Sequence, residues 1–238
     1  MTEKYDVIIV GAGAAGLMSA IEAGKRGRKV LLVDHAKKIG EKIRISGGGR
    51  CNFTNIHTDP SKFISNNPKF AISALKQYTQ NDFIHLIKKY NIKFHEKKLG
   101  QLFCDESAQQ IIDMLLSECE MANVVLKKDI TITNIDKEND KYFVVIGSDR
   151  YLCKSLIIAT GGLSIPKIGA TKFGYDIAKK FNLKIVETLP ALVPLTFSEK
   201  ILTICKELTG LSVEAVVSFK KNFFEEGMLF THRGLSGP

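Results

Sequence analysis

The chain has 238 residues, of which 45% are hydrophobic and 25% are charged, a balance typical of globular proteins with one large domain or two modest ones. No apolar run reaches the roughly 18 to 20 residues of a membrane helix, and the five cysteines contain no C-x-x-C pair, which argues against a disulfide framework or a zinc site. The N-terminus does not read as a signal peptide, so we expect a cytoplasmic protein without a membrane partner.

The net charge of +9 comes mainly from lysines spread along the whole chain. A basic chain can indicate a nucleic-acid partner. The absence of tryptophan and the shortage of arginine weaken base stacking and base reading as roles. We therefore interpret the lysines as a solvated surface, and we expect a small-molecule substrate and no nucleic acid.

The first 34 residues have the pattern strand, helix, strand. Residues 5–10 form a short apolar run that ends at a glycine, residues 14–26 have apolar positions at helical spacing, and residues 29–33 form a second apolar run. This order predicts two buried parallel strands joined by a right-handed crossover helix.

The later segments alternate between helical and strand-like patterns after a glycine-rich stretch at 39–55, which is expected to be loop or very short helix. Helices are predicted over 68–77, 81–90, 107–122 and 173–181, with Asn81 as the N-cap of the second. Strands are predicted over 124–126, 130–135, 142–146, 151–152, 156–159 and 212–219, with 227–230 as a partner for the last. Asn139 and Asp140 mark a hairpin turn.

The most specific motif is G-A-G-A-A-G at 11–16, because it follows a predicted strand and opens a predicted helix. Gly11 permits a tight turn, Gly13 leaves room for a pyrophosphate, and Gly16 lets the helix pack closely on the strand. The free amide groups and the helix dipole then favour a phosphate. A glycine-rich packing turn without a ligand is the alternative.

Three further features fit a dinucleotide site. Asp34 ends the second strand, where a carboxylate can accept hydrogen bonds from ribose hydroxyls and would repel a 2′-phosphate. The S-G-G-G-R-C-N segment at 46–52 lets the main chain lie against a ligand. The strand before Thr160 ends in small residues, so the chain can pass close to the cofactor. An exposed acid, a surface loop and a plain strand end are the respective alternatives.

Together these stretches resemble flavoproteins of the glutathione reductase superfamily, and more narrowly the aminoacetone oxidase family, which includes bile-acid 4,6-reductase-like proteins. The narrower resemblance is carried by the segments at 46–52, 159–166, 190–195 and 229–238. It implies an α/β fold with a doubly wound, mostly parallel Rossmann-type FAD-binding sheet over residues 1–192, with helices on both faces. It also implies that residues 193–238 begin a β-rich inserted domain.

The resemblance implies an FAD site and two-electron transfer between flavin and a small organic substrate, with NAD(P)H or oxygen as the second partner. The implied cofactor-binding residues are Gly11, Gly13, Ala14, Ala15, Gly16, Asp34, His35, Lys42, Ser46, Gly47, Gly48, Arg50, Cys51, Asn52, Ile132, Ala159, Thr160, Gly161 and Gly162. The sequence identifies no acid, base or metal ligand.

The chain departs from the family pattern at two places. Members usually show G-S-T-G-x-G-Y where this chain has G-A-T-K-F-G-Y, so Lys172 stands at a glycine position. Relatives also continue well past residue 238, so we expect a C-terminally truncated chain. Two other functions stay open: a non-catalytic nucleotide-binding remnant, and a flavin-dependent tRNA-modifying protein, which the positive charge favours and the scattered lysines oppose.

The reactive side chains of Cys51, His232 and Arg233 are not assigned a catalytic role. The disulfide reductases of the superfamily use two cysteines five positions apart, but the residue five positions after Cys51 is Ile56, which argues against a dithiol mechanism. Cys51 is therefore expected to be a small residue of the cofactor loop. His232 and Arg233 either contact substrate or stabilise a junction between domains.

Overall fold

The computed structural model describes residues 2–191 and 193–237, and it divides the chain into two compact units, Met1–Lys184 and Ile185–Pro238. Leu192, where the first predicted domain ends, lies outside the described residues, as do Met1 and Pro238. The predicted division at residue 192 therefore stays a proposal.

The first unit contains most of the regular structure. In chain order its elements are β1 (Thr2–Val10), α1 (Ala14–Lys25), β2 (Val30–Val33), α2 (Glu41–Ile45), β3 (Asn52–Asn55), α3 (Ile72–Gln77), α4 (Gln80–Lys89), β4 (Phe94–Glu96), β5 (Gln101–Cys104), α5 (Gln109–Met121), β6 (Val125–Lys127), β7 (Ile132–Glu138), β8 (Lys141–Ile146), β9 (Asp149–Ile158) and α6 (Phe173–Lys180). Short 3-10 turns occur at Pro60–Lys62 and Pro166–Ile168, whereas Ser46–Gly49 is a tight turn in which Gly47 and Gly48 have left-handed backbone angles.

A six-stranded sheet forms the centre of this unit, in the spatial order β6-β2-β1-β9-β8-β7. The strands β6, β2, β1 and β9 are parallel to one another, whereas β8 and β7 are added antiparallel beside β9. The predicted α/β fold with a parallel-dominated Rossmann-type sheet is thus confirmed. Because the parallel strands share one direction, their carboxyl ends meet at the same edge of the sheet.

Hydrophobic cores lie on both faces of this sheet because successive side chains of a strand point to opposite faces. Ile9 of β1 and Leu32 of β2 join the core that α1 and α5 complete. Their neighbours Ile8 and Leu31 belong to the core on the other face, against which Phe173 of α6 packs. The continuous apolar runs of β1 and β2 follow from this double burial.

The N-cap predicted for α4 is wrong. Asn81 lies inside the helix, and Thr79 is the cap: its hydroxyl accepts the Asp82 N–H at 3.3 Å, and the Asp82 carboxylate accepts the Thr79 N–H at 2.7 Å. This reciprocal arrangement satisfies two backbone donors at once. Thr79 is favoured as the cap because a carboxylate follows it at the third helical position.

Other boundaries differ because long-range pairing decides them. The separate strands predicted at 151–152 and 156–159 are one strand, since β9 pairs with β1 through the polar stretch between them. The helix predicted over 68–77 covers only Ile72–Gln77. The short strands β3, β4 and β5 form an antiparallel sheet in the order β3-β5-β4, which the sequence pattern did not indicate.

The second unit contains β10 (Leu195–Thr196), α7 (Glu199–Glu207), β11 (Ser212–Phe219), β12 (Asn222–Thr231) and β13 (Gly234–Ser236). Its antiparallel sheet has the order β10-β13-β12-β11. The predicted pairing of 212–219 with 227–230 is confirmed and extends further, to a tight hairpin in which Phe219 pairs with Asn222. The helix α7 was not predicted.

Across residues 2–191 and 193–237, none of the helices combines the length and the apolar character required to cross a lipid bilayer.

Candidate nucleotide-binding groove

A groove of about 410 Å³ opens at the carboxyl ends of β1, β2 and β9, within the first unit. Its volume lies within the range of roughly 300 to 1,000 Å³ that is usual for small-molecule sites. Ligands of open parallel sheets bind at this edge of the sheet. The predicted site residues that line the groove are Gly11, Gly13, Ala14, Ala15, Asp34, His35, Lys42, Ile132, Ala159, Thr160 and Gly161.

Two glycines let three elements approach closely at the base of the groove. Gly11 has a φ of +104°, and a Cβ there would lie 2.5 Å from the carbonyl oxygen of Ala159. A Cβ at Gly16 would collide with the carbonyl oxygen of Gly11. Side chains at either position would therefore force β1, α1 and the end of β9 apart.

Gly13 differs from these two glycines because a Cβ there would have no atom within 4 Å. It precedes α1 as its N-cap, and neither a side-chain cap nor an acidic residue in the first turn engages the helix end. The first amide groups of a helix lack partners within the helix and carry positive partial charge. Open space in front of an uncapped helix end is the geometry that receives a phosphate.

The carboxylate of Asp34 faces this glycine turn from the end of β2. One oxygen accepts the Ala12 N–H at 2.5 Å and the other accepts the Ala36 N–H at 2.7 Å. Each carboxylate oxygen has a further lone pair, so these bonds leave acceptor capacity for hydroxyl donors in the groove. Asp34 thus also fixes the turn, a contact that the spacing in the sequence did not reveal.

Residues 168–173 form a wall that sequence reasoning missed. The backbone at Gly169 approaches His35 so closely that a Cβ would lie 2.9 Å from its Nε2 atom. On the neighbouring wall, the Lys42 ammonium donates to the Ser164 hydroxyl at 2.8 Å.

Lys172, which stands where relatives have glycine, has a φ of −76°, so this position needs no glycine. The missed lining residues are Ala12, Ala36, Lys38, Gly40, Glu41, Ile43, Ile130, Thr131, Ile168, Gly169, Ala170, Thr171 and Phe173, together with the strand ends Val10 and Val33.

The predicted loop at 46–52 packs against β5 instead of lining this groove. A Cβ at Gly47 would lie 2.6 Å from the Phe103 ring, and the Cys104 N–H donates to the Arg50 carbonyl at 2.9 Å. Cys51 is buried, and burial raises the pKa of its thiol, so it is protonated at neutral pH. The predicted residues outside the lining are Gly16, Ser46, Gly47, Gly48, Arg50, Cys51, Asn52 and Gly162; their role at a cofactor stays a prediction.

The comparison with protein families agrees with this geometry. The family model described as "HI0933-like protein Rossmann domain" matches residues 5–234 of the chain. The chain belongs to this family. HI0933-like proteins are FAD-binding Rossmann-type relatives of flavoprotein oxidoreductases, which confirms the flavoprotein prediction at that level. The narrower resemblance to aminoacetone oxidase stays a prediction.

Three relatives illustrate how far the similarity of this HI0933-like chain reaches. "Ribosomal RNA dihydrouridine synthase" of Escherichia coli is 48% identical over 99% of this chain and 59% of its own length. The protein of the same name from Haemophilus influenzae is 46% identical over 100% of this chain and 60% of its own. "3-dehydro-bile acid delta(4,6)-reductase" of Clostridium scindens is 25% identical over 79% of this chain and 46% of its own. The chain therefore spans about three fifths of the first two relatives.

Proposed function

We propose that the protein containing this chain is an FAD-dependent reductase that forms dihydrouridine in ribosomal RNA. The observation that carries the proposal is the 48% identity, along 99% of this chain, to a relative of that name. The groove supports the flavin part of the proposal, because its shape and charge suit a dinucleotide.

The residues of the groove divide the work of holding FAD. The uncapped start of α1 at Gly13 and Ala14 would receive the pyrophosphate, and Asp34 would accept hydrogen bonds from a ribose. Ile130 and Ile132 give the groove an apolar side suited to a flat ring. Bound FAD supplies two-electron transfer, whereas the chain supplies binding and orientation.

The chemistry of the product defines what the reaction must deliver. Dihydrouridine is uridine with a saturated C5–C6 bond, so its formation adds a hydride to one carbon and a proton to the other. A reduced nicotinamide, NAD(P)H, would supply the hydride and leave as NAD(P)⁺. The substrate proposed here departs from the small molecule expected from the sequence. The net charge of +9 would assist the approach of a polyanionic RNA.

A second candidate is reduction or oxidation of a small organic substrate by the same flavin, with NAD(P)H or oxygen as the other partner. The bile-acid reductase from Clostridium scindens, 25% identical over 190 residues, favours this alternative. Both candidates use the same groove, so the substrate alone separates them.

The test combines a spectrum with product analysis. The purified full-length protein is expected to show bound-flavin absorbance that bleaches anaerobically with NADH or NADPH. It should then convert uridine to dihydrouridine in ribosomal RNA from cells that lack the gene, as detected by mass spectrometry. Bleaching without any dihydrouridine would support the small-molecule candidate. A colourless protein that takes up no added FAD would support a non-catalytic remnant.

A matched pair of variants tests whether the groove holds the flavin. Gly13→Val should abolish flavin retention, because its methyl groups would fill the open space before α1. Gly227→Val is the control: this glycine lies in β12, and the nearest atom to an added Cβ is 3.5 Å away. Flavin content per folded protein is the measurement, and equal retention in both variants would place the cofactor elsewhere.

A further inference from the structure

A second concave site lies at the opposite end of β1 from the groove. This cavity of about 210 Å³ has Lys4, Lys29, Lys141 and Lys154 around its rim and Asp6 among them. From Lys4 to Val10 the strand spans roughly 20 Å at about 3.3 Å per residue. The two sites therefore lie too far apart to share one small ligand.

The charges of this cavity do not cancel. The Asp6 carboxylate accepts the backbone N–H of Lys29 at 3.0 Å and lies 3.8 Å from the Lys154 ammonium. The Lys29 hydrogen bond, helped by the charge of Lys154, lowers the pKa of Asp6, so it stays ionised at neutral pH. Four lysines against one aspartate leave an excess of three positive charges at the rim.

The cavity also has buried lining residues. Tyr5 and Cys153, which pair across β1 and β9, are both buried and line it together with the lysines. The Lys29 ammonium lies 4.7 Å from the centre of the Tyr5 ring, a cation–π distance that holds it at the cavity. The site is therefore a concave cluster of cations rather than a scattered set of surface lysines.

We propose that this cavity, named here the distal basic pocket, binds backbone phosphates of the RNA whose uridine reaches the groove. The inference rests on the proposed function and extends it to a second contact with the substrate. Lysines attract phosphates as point charges and do not read bases, so the pocket would anchor the RNA without selecting a sequence. A contact at this distance suits a substrate much larger than the groove.

The test is the salt dependence of RNA binding by the full-length protein. The double variant Lys4→Gln/Lys141→Gln removes two exposed charges from the rim. Each phosphate contact contributes about 0.7 to 0.9 to the slope of log affinity against log salt concentration. With a labelled ribosomal RNA fragment, we expect this negative slope to become shallower by about one to two units in the Lys4→Gln/Lys141→Gln variant. Lys62→Gln/Lys69→Gln, an exposed pair elsewhere with the same charge change, should keep the slope.

The outcomes separate this inference from the proposed function, provided that thermal unfolding shows both double variants to be folded. If the unmodified protein forms dihydrouridine but both double variants show the same salt slope of RNA binding, the pocket inference is wrong and the proposed function remains. A reduced slope only in the pocket variant would support the pocket even if no dihydrouridine formed. If the Lys4→Gln/Lys141→Gln variant loses binding to anionic lipid vesicles while its RNA binding is unchanged, the pocket binds a membrane surface and the inference is wrong.

Discussion

Three glycines at the start of α1 have three different physical roles. Gly11 adopts a backbone conformation that favours glycine, Gly16 gives room to a neighbouring carbonyl group, and Gly13 faces open space. The same residue type thus serves conformation, packing and ligand access within six positions of the chain. Substitutions at these positions should consequently separate stability from cofactor binding.

Gly16→Ala should destabilise the protein, because its Cβ would meet the carbonyl oxygen of Gly11 and backbone atoms cannot move aside cheaply. Overpacking of this kind costs about 1 to 3 kcal/mol. Urea unfolding without added flavin is the measurement. Gly13→Ala is the control, with a change expected within about 1 kcal/mol because only the residue type at the N-cap changes. Equal stability of the two variants would contradict the close packing of α1.

Among the secondary-structure elements, one buried carboxylate connects three helices. Glu118 of α5 has only 1% of its surface exposed, and it lies 2.7 Å from the Lys25 ammonium of α1 and 2.8 Å from the Lys89 ammonium of α4. The Tyr90 hydroxyl donates to it at 3.0 Å. Burial alone would raise the pKa of Glu118, but these hydrogen bonds and charges outweigh burial and lower it to about 2.

Glu118→Gln should lower the free energy of unfolding by about 1 to 3 kcal/mol, because the amide removes the buried negative charge that accepts hydrogen bonds from Lys25, Lys89 and Tyr90. Since the folded pKa of about 2 lies below the ordinary value of 4.5, the carboxylate stabilises the fold above pH 4.5 and loses this effect as the pH falls towards 2. Urea unfolding at several pH values is the measurement. The exposed neighbour Glu120→Gln is the control, and an unchanged acid profile in Glu118→Gln would contradict the assignment.

The capping box of α4 gives a second test at this scale. Thr79→Ala removes the hydroxyl that accepts the Asp82 N–H and should cost about 1 kcal/mol in unfolding free energy. Asn81→Ala, inside the same helix turn, should change stability little, because Asn81 is exposed and is not the cap. A larger loss for Asn81→Ala than for Thr79→Ala in thermal unfolding would restore Asn81 as the cap.

At the scale of the whole molecule, the division into two units leads to a prediction about limited proteolysis. Residues 183–191 contain neither helix nor strand, and Lys184 is exposed. Exposed segments of this kind are the usual sites of limited cleavage. Brief trypsin treatment should therefore produce a fragment that ends at Lys184 and, since the whole groove lies within Met1–Lys184, keeps its flavin. Release of flavin upon this cut, followed by absorbance after gel filtration, would show that the groove needs the rest of the protein.

The sequence by itself determined the first strand–helix–strand unit, the glycine turn at 11–16 and the acidic residue at the end of β2. These features depend on residues that are neighbours in the chain: an apolar run, a glycine spacing and a helical period. The β11–β12 pairing and the turn at Asn139 and Asp140, both with positive φ, were predictable for the same reason.

Only the tertiary structure decided which distant residues meet. The second wall of the groove brings Gly169 to His35, the buried carboxylate of Glu118 receives ammonium groups from two other helices, and Gly47 packs on Phe103 rather than lining the groove. No local period or spacing encodes such contacts, because they arise when separate elements compete for the same space and the same hydrogen-bond partners. The sequence therefore indicated the kind of site, and folding fixed its walls.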